Sequence, residues 1–234
     1  MSEAAGPRPA EAAGTSPSSP GAGTTTSAPT RPGAGEPLVD LVALADQPAE
    51  RHRLVAATFT DRVLGTKDWD AQSPVADWRA RDVVAHLCTW LAGFLAGGAG
   101  VELPRGPSTD VDPVGAWRVH ADAVQAVLDD PATAGRTLRN PHIGELPLGP
   151  AIDRFYTVDV FMHTWDLARA TGQDDRLDPG LCAVLLDGMS GMEEVLRASG
   201  QYGPRVPVPA DADVQTRLLG FIGRDPAFVP PSTP

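Results

Sequence analysis

Within the run Tyr156-Thr-Val-Asp159-Val-Phe-Met-His163-Thr-Trp165-Asp166-Leu-Ala-Arg-Ala170, a carboxylate and an imidazole stand four residues apart. On a helix that spacing stacks Asp159 and His163 one turn apart on the same face, and Asp166 extends the polar strip at the next i+3 position. Tyr156, Val160, Leu167 and Ala170 flank the strip with apolar surface, so it is expected to face inward. A buried line of Asp, His and Asp is costly to desolvate unless something compensates it, and a divalent metal ion is one natural compensator. Any fold for this chain must therefore bury a long helix and supply partners for its polar strip.

The rest of the chain reads as further helices. Residues 1–36 form a low-complexity tail of Ala, Gly, Pro, Ser and Thr. Between Ser2 and Glu36 there is no Val, Ile, Leu, Phe, Tyr or Trp, so disorder is expected. A domain is expected over 37–224, and a loose, Pro-rich tail over 225–234. The periodicity predicts a helix from near Pro48 to Leu64, with His52 facing water between Arg51 and Arg53. A second begins near Asp77 or Trp78 and is closed by Gly97-Gly98. A third runs from about Pro113 to Leu128, with Asp112 as N-cap and His120 on its course. The segment 132–149 is too rich in Gly and Pro for a helix and suggests a short β-hairpin or a lid that carries His142 and could bring it to a site. The central helix follows over about 150–171, closed by Gly172, then one over about 179–199 and a short one over 213–222. The expected architecture is all-α: a four-helix bundle with one or two additional C-terminal helices and a short hairpin.

Charge and cysteine usage exclude some functions. A net charge of -11 argues against a nucleic-acid backbone as partner. No apolar run suggests a membrane span of roughly 20 residues, and no apolar signal segment opens the chain. With two cysteines, Cys88 and Cys182, each in an apolar helix, a reduced, cytoplasmic protein is expected, as a monomer or homodimer.

Bundles build metal sites from inward side chains on facing helices. Asp159 and His163 with a histidine from another helix would make a three-ligand set with one coordination position open. Taken alone, Asp159-x-x-x-His163 also fits an ordinary ion pair, and a lone helix histidine fits a satisfied core residue. Trp90 and Trp165 read as packing rather than substrate stacking, and Arg154, Arg169 and Tyr156 as solvated or capping groups, with a role in binding a substrate or an anion as the alternative.

Two stretches narrow the choice. Trp78-Arg-Ala-Arg-Asp82-Val-Val-Ala-His86-Leu resembles the W-x-x-R-D-x-x-A-H-L helix of the DinB-like superfamily, and Asp159-x-x-x-His163-x-Trp165-Asp166-Leu-Ala-Arg-Ala170 with Gly172 resembles its second metal-binding helix. The branch is the actinobacterial group related to mycothiol-dependent maleylpyruvate isomerase. Val206-Pro-Val-Pro with Leu218-Leu-Gly220 and Gly223-Arg-Asp-Pro226 is similar to that branch's closing segment. The resemblance covers most of residues 40–226. It implies ligation of a divalent metal, zinc in the first place, by His86, Asp159 and His163. Asp166 would accept a hydrogen bond from an imidazole or an arginine rather than ligate. The family isomerase has Glu where Asp159 stands, and the side chain here is one methylene shorter. Capping of the second helix is assigned to Asp77, since Arg79 occupies a position where the family often has Ser or Thr. The implied function is a mycothiol-dependent transferase or isomerase acting on a small molecule, with a low-molecular-weight thiol as cosubstrate. The alternative is a non-catalytic metal-binding or stress-response module of the same fold.

Overall fold

The structure is a computed structural model that describes residues 40–231. The expected tail over 1–36 therefore lies outside the described residues. Four long helical stretches form the bundle: α1 (Pro48–Gly65), α2 (Ala80–Ala99), α3 (Pro113–Asp129) and a composite helix. The last consists of α5 (Leu148–Ala151), a π-helical segment (Ile152–Thr157) and α6 (Val158–Thr171). A single-turn helix, α4 (Pro131–Ala134), precedes the strands β1 (Thr137–Asn140) and β2 (Gly144–Pro147). After the bundle come α7 (Pro179–Ser190), α8 (Glu193–Ala198) and α9 (Val214–Phe221).

α1 packs against α3, α6 and the π segment, and α2 packs against α3 and α6. The core between them holds Phe59, Leu87, Leu91, Trp117, Ile152, Tyr156, Trp165 and Leu167, all essentially inaccessible. The apolar rows at 3.6-residue spacing produce this arrangement by burying one stripe of each helix. β1 and β2 pair antiparallel, with Leu138 opposite Leu146, and Leu138 is fully buried.

Helix ends follow local chemistry, with instructive departures. Asp112 caps α3 by accepting from the Gly115 N–H at 2.8 Å, and Gly172 closes α6 in the left-handed region at φ 66°. α2, however, runs past Gly97-Gly98 and is closed by Gly100 at φ 63°. Gly98 serves a different need: a Cβ there would lie 3.0 Å from the Leu138 side chain and 3.1 Å from the Arg139 carbonyl, so its absence lets the hairpin approach α2. The cap of α2 is not Asp77. Asp82 performs it from inside the first turn, its carboxylate accepting from the Arg79 N–H at 2.7 Å. The helix expected over about 179–199 is broken into α7 and α8 at Gly191-Met192. α2 has the length that the sequence suggested, 20 residues, displaced by about two positions towards its C-terminal end. Among the described residues it is the one helix that could cross a membrane by length and mean hydropathy, yet its buried face serves as core for α3 and α6.

His52 does not face water. It is fully buried, because His52, Val55, Ala56, Phe59 and Val63 share one helical stripe, and only its neighbours Arg51 and Arg53 lie off that stripe. His52 Nδ1 lies 2.9 Å from Thr157 Oγ1 on the π segment. His120 of α3 is buried beside it, and the Tyr156 ring packs on both imidazoles at centroid distances of 5.7 and 5.6 Å. Arg51 forms a two-pronged ion pair with Asp153, which adds a second tie between α1 and the π segment. Burial lowers the pKa of both His52 and His120 to about 4, helped at His52 by the neighbouring His120.

Unfolding returns both rings to an ordinary value near 6.5, so the unfolded chain binds more protons and stability falls as the pH drops from about 6.5 towards 4. Each ring can account for about 3 kcal/mol when the whole window is crossed. Urea unfolding of the wild type and a His120→Phe variant between pH 7 and 4.5 checks this: the wild type should lose stability more steeply. Parallel pH profiles would contradict the assignment.

Candidate metal centre

The site begins on α6 at Asp159, two residues beyond the π segment. Six residues of wider helix place Asp153, Tyr156 and Thr157 against α1, and α6 then resumes with Asp159, His163 and Asp166 facing α2 and the C-terminal segment. π turns interrupt the i→i−4 ladder and often accompany functional sites. Nothing in the residue pattern of 150–171 announces this one.

His86 of α2 meets this face. Its Nε2 lies 3.1 Å from Asp159 Oδ2, and His163 Nε2 lies 3.5 Å from Asp159 Oδ1. One ligand atom from each of the three residues falls within 4.8 Å of the others. Two donors about 2.1 Å from a tetrahedral ion stand about 3.4 Å apart, so the observed separations suit one divalent ion held by two imidazoles and a carboxylate. The side chains of His86 and Asp159 are 30% and 20% exposed, whereas that of His163 is 7% exposed, so the set is open on the His86 side.

A chain of polar contacts fixes these donors. His163 Nδ1 lies 2.8 Å from Asp166 Oδ2, and Arg224 donates to both oxygens of Asp166 at 2.8 and 3.0 Å. Burial pushes the Asp166 carboxyl up, but Arg224 and His163 outweigh it and hold the pKa below the usual carboxylate value. An ionised Asp166 can only accept, so His163 Nδ1 carries the proton and Nε2 is directed at Asp159. Burial lowers the His163 pKa, yet Asp159 and Asp166 together raise it above the ordinary histidine value. Asp159 is likewise pushed up by burial and held down overall by His163, His86 and the Trp90 N–H.

Trp90 is more than packing. Its Nε1–H donates to Asp159 Oδ2 at 2.9 Å and fixes the carboxylate rotamer. Trp78 stacks on His163 at 5.7 Å between ring centres and also lies 5.0 Å from the His86 ring. Tyr202, between α8 and α9, is near enough for Asp159 to act on its phenol; its pKa is raised, by burial first and by Asp159 second. Arg224 and Tyr202 come from a remote part of the chain, and the role of Trp90 depends on a contact between helices.

The other sequence candidates lie elsewhere. His142 sits on the exposed hairpin turn, and His52 and His120 form the separate buried cluster. Arg169 pairs with Asp175, lies over the Trp165 ring and donates to the Pro226 carbonyl, and Arg154 lies over Phe155. Cys88 and Cys182 have thiol pKa values pushed up to about 12, by burial in the first place, so neither is a ready thiolate.

The family described as mycothiol maleylpyruvate isomerase N-terminal domain matches residues 52–168, which hold the His86, Asp159 and His163 positions. Two proteins of Mycobacterium tuberculosis, from strains CDC 1551 / Oshkosh and ATCC 25618 / H37Rv, each named only as an uncharacterized protein, are similar. Each is 26% identical over 161 residues, which is 65% of this chain and 82% of the relative. No solved structure matches the chain with significance.

The Arg224–Asp166 pair tests the electrostatics directly. Arg224→Met leaves a buried carboxylate with His163 as its remaining charged partner and should cost about 3 kcal/mol in chemical denaturation. Asp166→Asn added to that variant should recover part of the loss. A single variant as stable as the wild type would show that the pair contributes nothing.

Proposed function

The chain belongs to the mycothiol maleylpyruvate isomerase N-terminal domain family, a DinB-like helical domain, and from that premise we propose that it binds a divalent ion, zinc in the first place, through His86, Asp159 and His163 and acts with a low-molecular-weight thiol such as mycothiol on a small molecule. The observation that supports this most is the meeting of three ligand atoms within 4.8 Å, with Asp166 setting the tautomer of His163. When bound, such an ion supplies Lewis-acid chemistry that favours the ionised form of a thiol.

The protein's own residues prepare that chemistry. Asp166 keeps the His163 Nδ1 proton in place, which leaves Nε2 as donor atom once its second proton is gone. Trp90 holds Oδ2 of Asp159, so Oδ1 stays directed at His163. Trp78 covers the two imidazoles and limits water to the open side. A pocket of about 490 Å³, lined by Trp78, Ala85, His86, Thr89 and Trp90 with Asp77 and Asp82, gives a small molecule access to His86. Neither cysteine of the chain is needed as nucleophile, which leaves that part to an external thiol. Transferase or isomerase activity is the reading that uses both the open side and the pocket.

Purified protein should carry about one equivalent of zinc or another divalent ion by elemental analysis, and Asp159→Ala should lose it. A protein that retains metal after His86→Ala plus His163→Ala would sink the assignment. Asp166→Asn should weaken affinity by roughly 10- to 100-fold without unfolding the domain. Affinity should also fall on acidification, because the raised His163 pKa makes the proton a stronger competitor for Nε2. On metal-loaded protein, thiol-dependent turnover above background supports the enzymatic reading; no rate with any low-molecular-weight thiol leaves a metal-binding module.

A further inference from the structure

The pocket beside the candidate metal centre has an unusual lining for a site that would take a carboxylate substrate. Two carboxylates, Asp77 and Asp82, and two indoles, Trp78 and Trp90, line it together with His86, and no lysine or arginine does. Neither Asp77 nor Asp82 forms a salt bridge with any described residue. Arg79 and Arg81 are close in sequence, but both guanidinium groups lean on the single carboxylate of Asp70, at 2.9 and 3.0 Å, and neither lines the pocket. Arg224 is committed to Asp166. Asp82 Oδ2 accepts from the Arg79 N–H at 2.7 Å in capping α2, which leaves Oδ1 for a ligand, whereas the Asp77 carboxylate makes no hydrogen bond with a described residue. Asp77 also occupies the left-handed region at φ 63°, in the turn just ahead of Trp78.

Carboxylates beside aromatic rings are the chemistry that recognises an ammonium group. The carboxylates attract the charge through space, and the faces of tryptophan rings attract it through their quadrupole. Away from the metal ligands the same surroundings disfavour an anion, and the net charge of -11 adds to that at longer range. Resting on the metal-and-thiol reading above, we infer that this pocket selects a small substrate bearing an amine or quaternary ammonium group, held by Asp77, Asp82 and the two indoles. Asp77 and Asp82 are thus specificity-determining residues, and the substrate class is cationic.

Three thiols of similar size and different charge test the inference on cobalt(II)-loaded full-length protein. They are thiocholine, 2-mercaptoethanol and 3-mercaptopropionate, followed by the sulfur-to-cobalt charge-transfer band. Thiocholine should bind about ten times more tightly than 3-mercaptopropionate at low ionic strength, and the gap should shrink severalfold in 0.5 M salt. Asp77→Asn keeps the left-handed turn, since Asn tolerates it as Asp does, and should reduce the preference about threefold with metal content unchanged. Equal affinities, or a preference indifferent to salt and to Asp77→Asn, would overturn the inference while leaving thiol binding intact. Choline, which has no thiol, provides a separate arm read by indole chemical shifts. Binding of choline that Asp77→Asn weakens, with no thiol bound, would uphold the cation site and remove the thiol reading. No shift with choline, together with no thiol preference, would sink the cation site.

Discussion

The structure turns on the desolvation of charge along α6. Asp159, His163 and Asp166 would be prohibitively costly in a bundle core if left alone. They are tolerated because each is answered: Asp166 by both nitrogen donors of Arg224, His163 by Asp166, and Asp159 by His86, His163 and the Trp90 N–H. Six residues from α2, α6 and the C-terminal segment therefore depend on one another. The same contacts that satisfy these groups also aim two imidazole nitrogens and a carboxylate at a common point. Stability and candidate function draw on one network, and a change in any member affects both.

The π segment links that network to the rest of the bundle. It carries Asp153 to Arg51, Thr157 to His52, and Tyr156 between His52 and His120, while its far side leads into Asp159. The two buried histidines are held neutral by the surrounding apolar core, whereas His163, equally buried, is held towards its charged form by two carboxylates. Burial is common to all three rings; what differs is the partner, and partner charge decides the direction of the shift. Tyr156 and Trp90 are in edge contact at 5.7 Å, so the neutral cluster and the charged site share an aromatic wall.

Much of the bundle was legible because helix periodicity and capping are local. Asp112 before Pro113, Gly172 after the central helix and the apolar rows of α1 to α3 each act within a turn or two. The misreadings share one cause, which is reliance on immediate neighbours. His52 looked solvated because Arg51 and Arg53 flank it, yet a helix sets i±1 residues about 100° away and places His52 with Val55 and Phe59. Gly97-Gly98 looked like a stop, yet Gly98 exists for the approach of the hairpin.

The sequence by itself determined the helices, the shared face of Asp159, His163 and Asp166, and the motif that marks the family, because all of these depend on spacing along the chain. Tertiary structure alone decided that His86 reaches Asp159, that Trp90 donates to it, and that Arg224, 58 residues beyond Asp166, neutralises that carboxylate. It also decided the π segment and the burial of His52 against Thr157. The physical reason is that contacts between helices are set by how whole apolar faces interlock, and a few degrees of helix rotation change which polar groups meet. Spacing along one helix cannot specify that rotation.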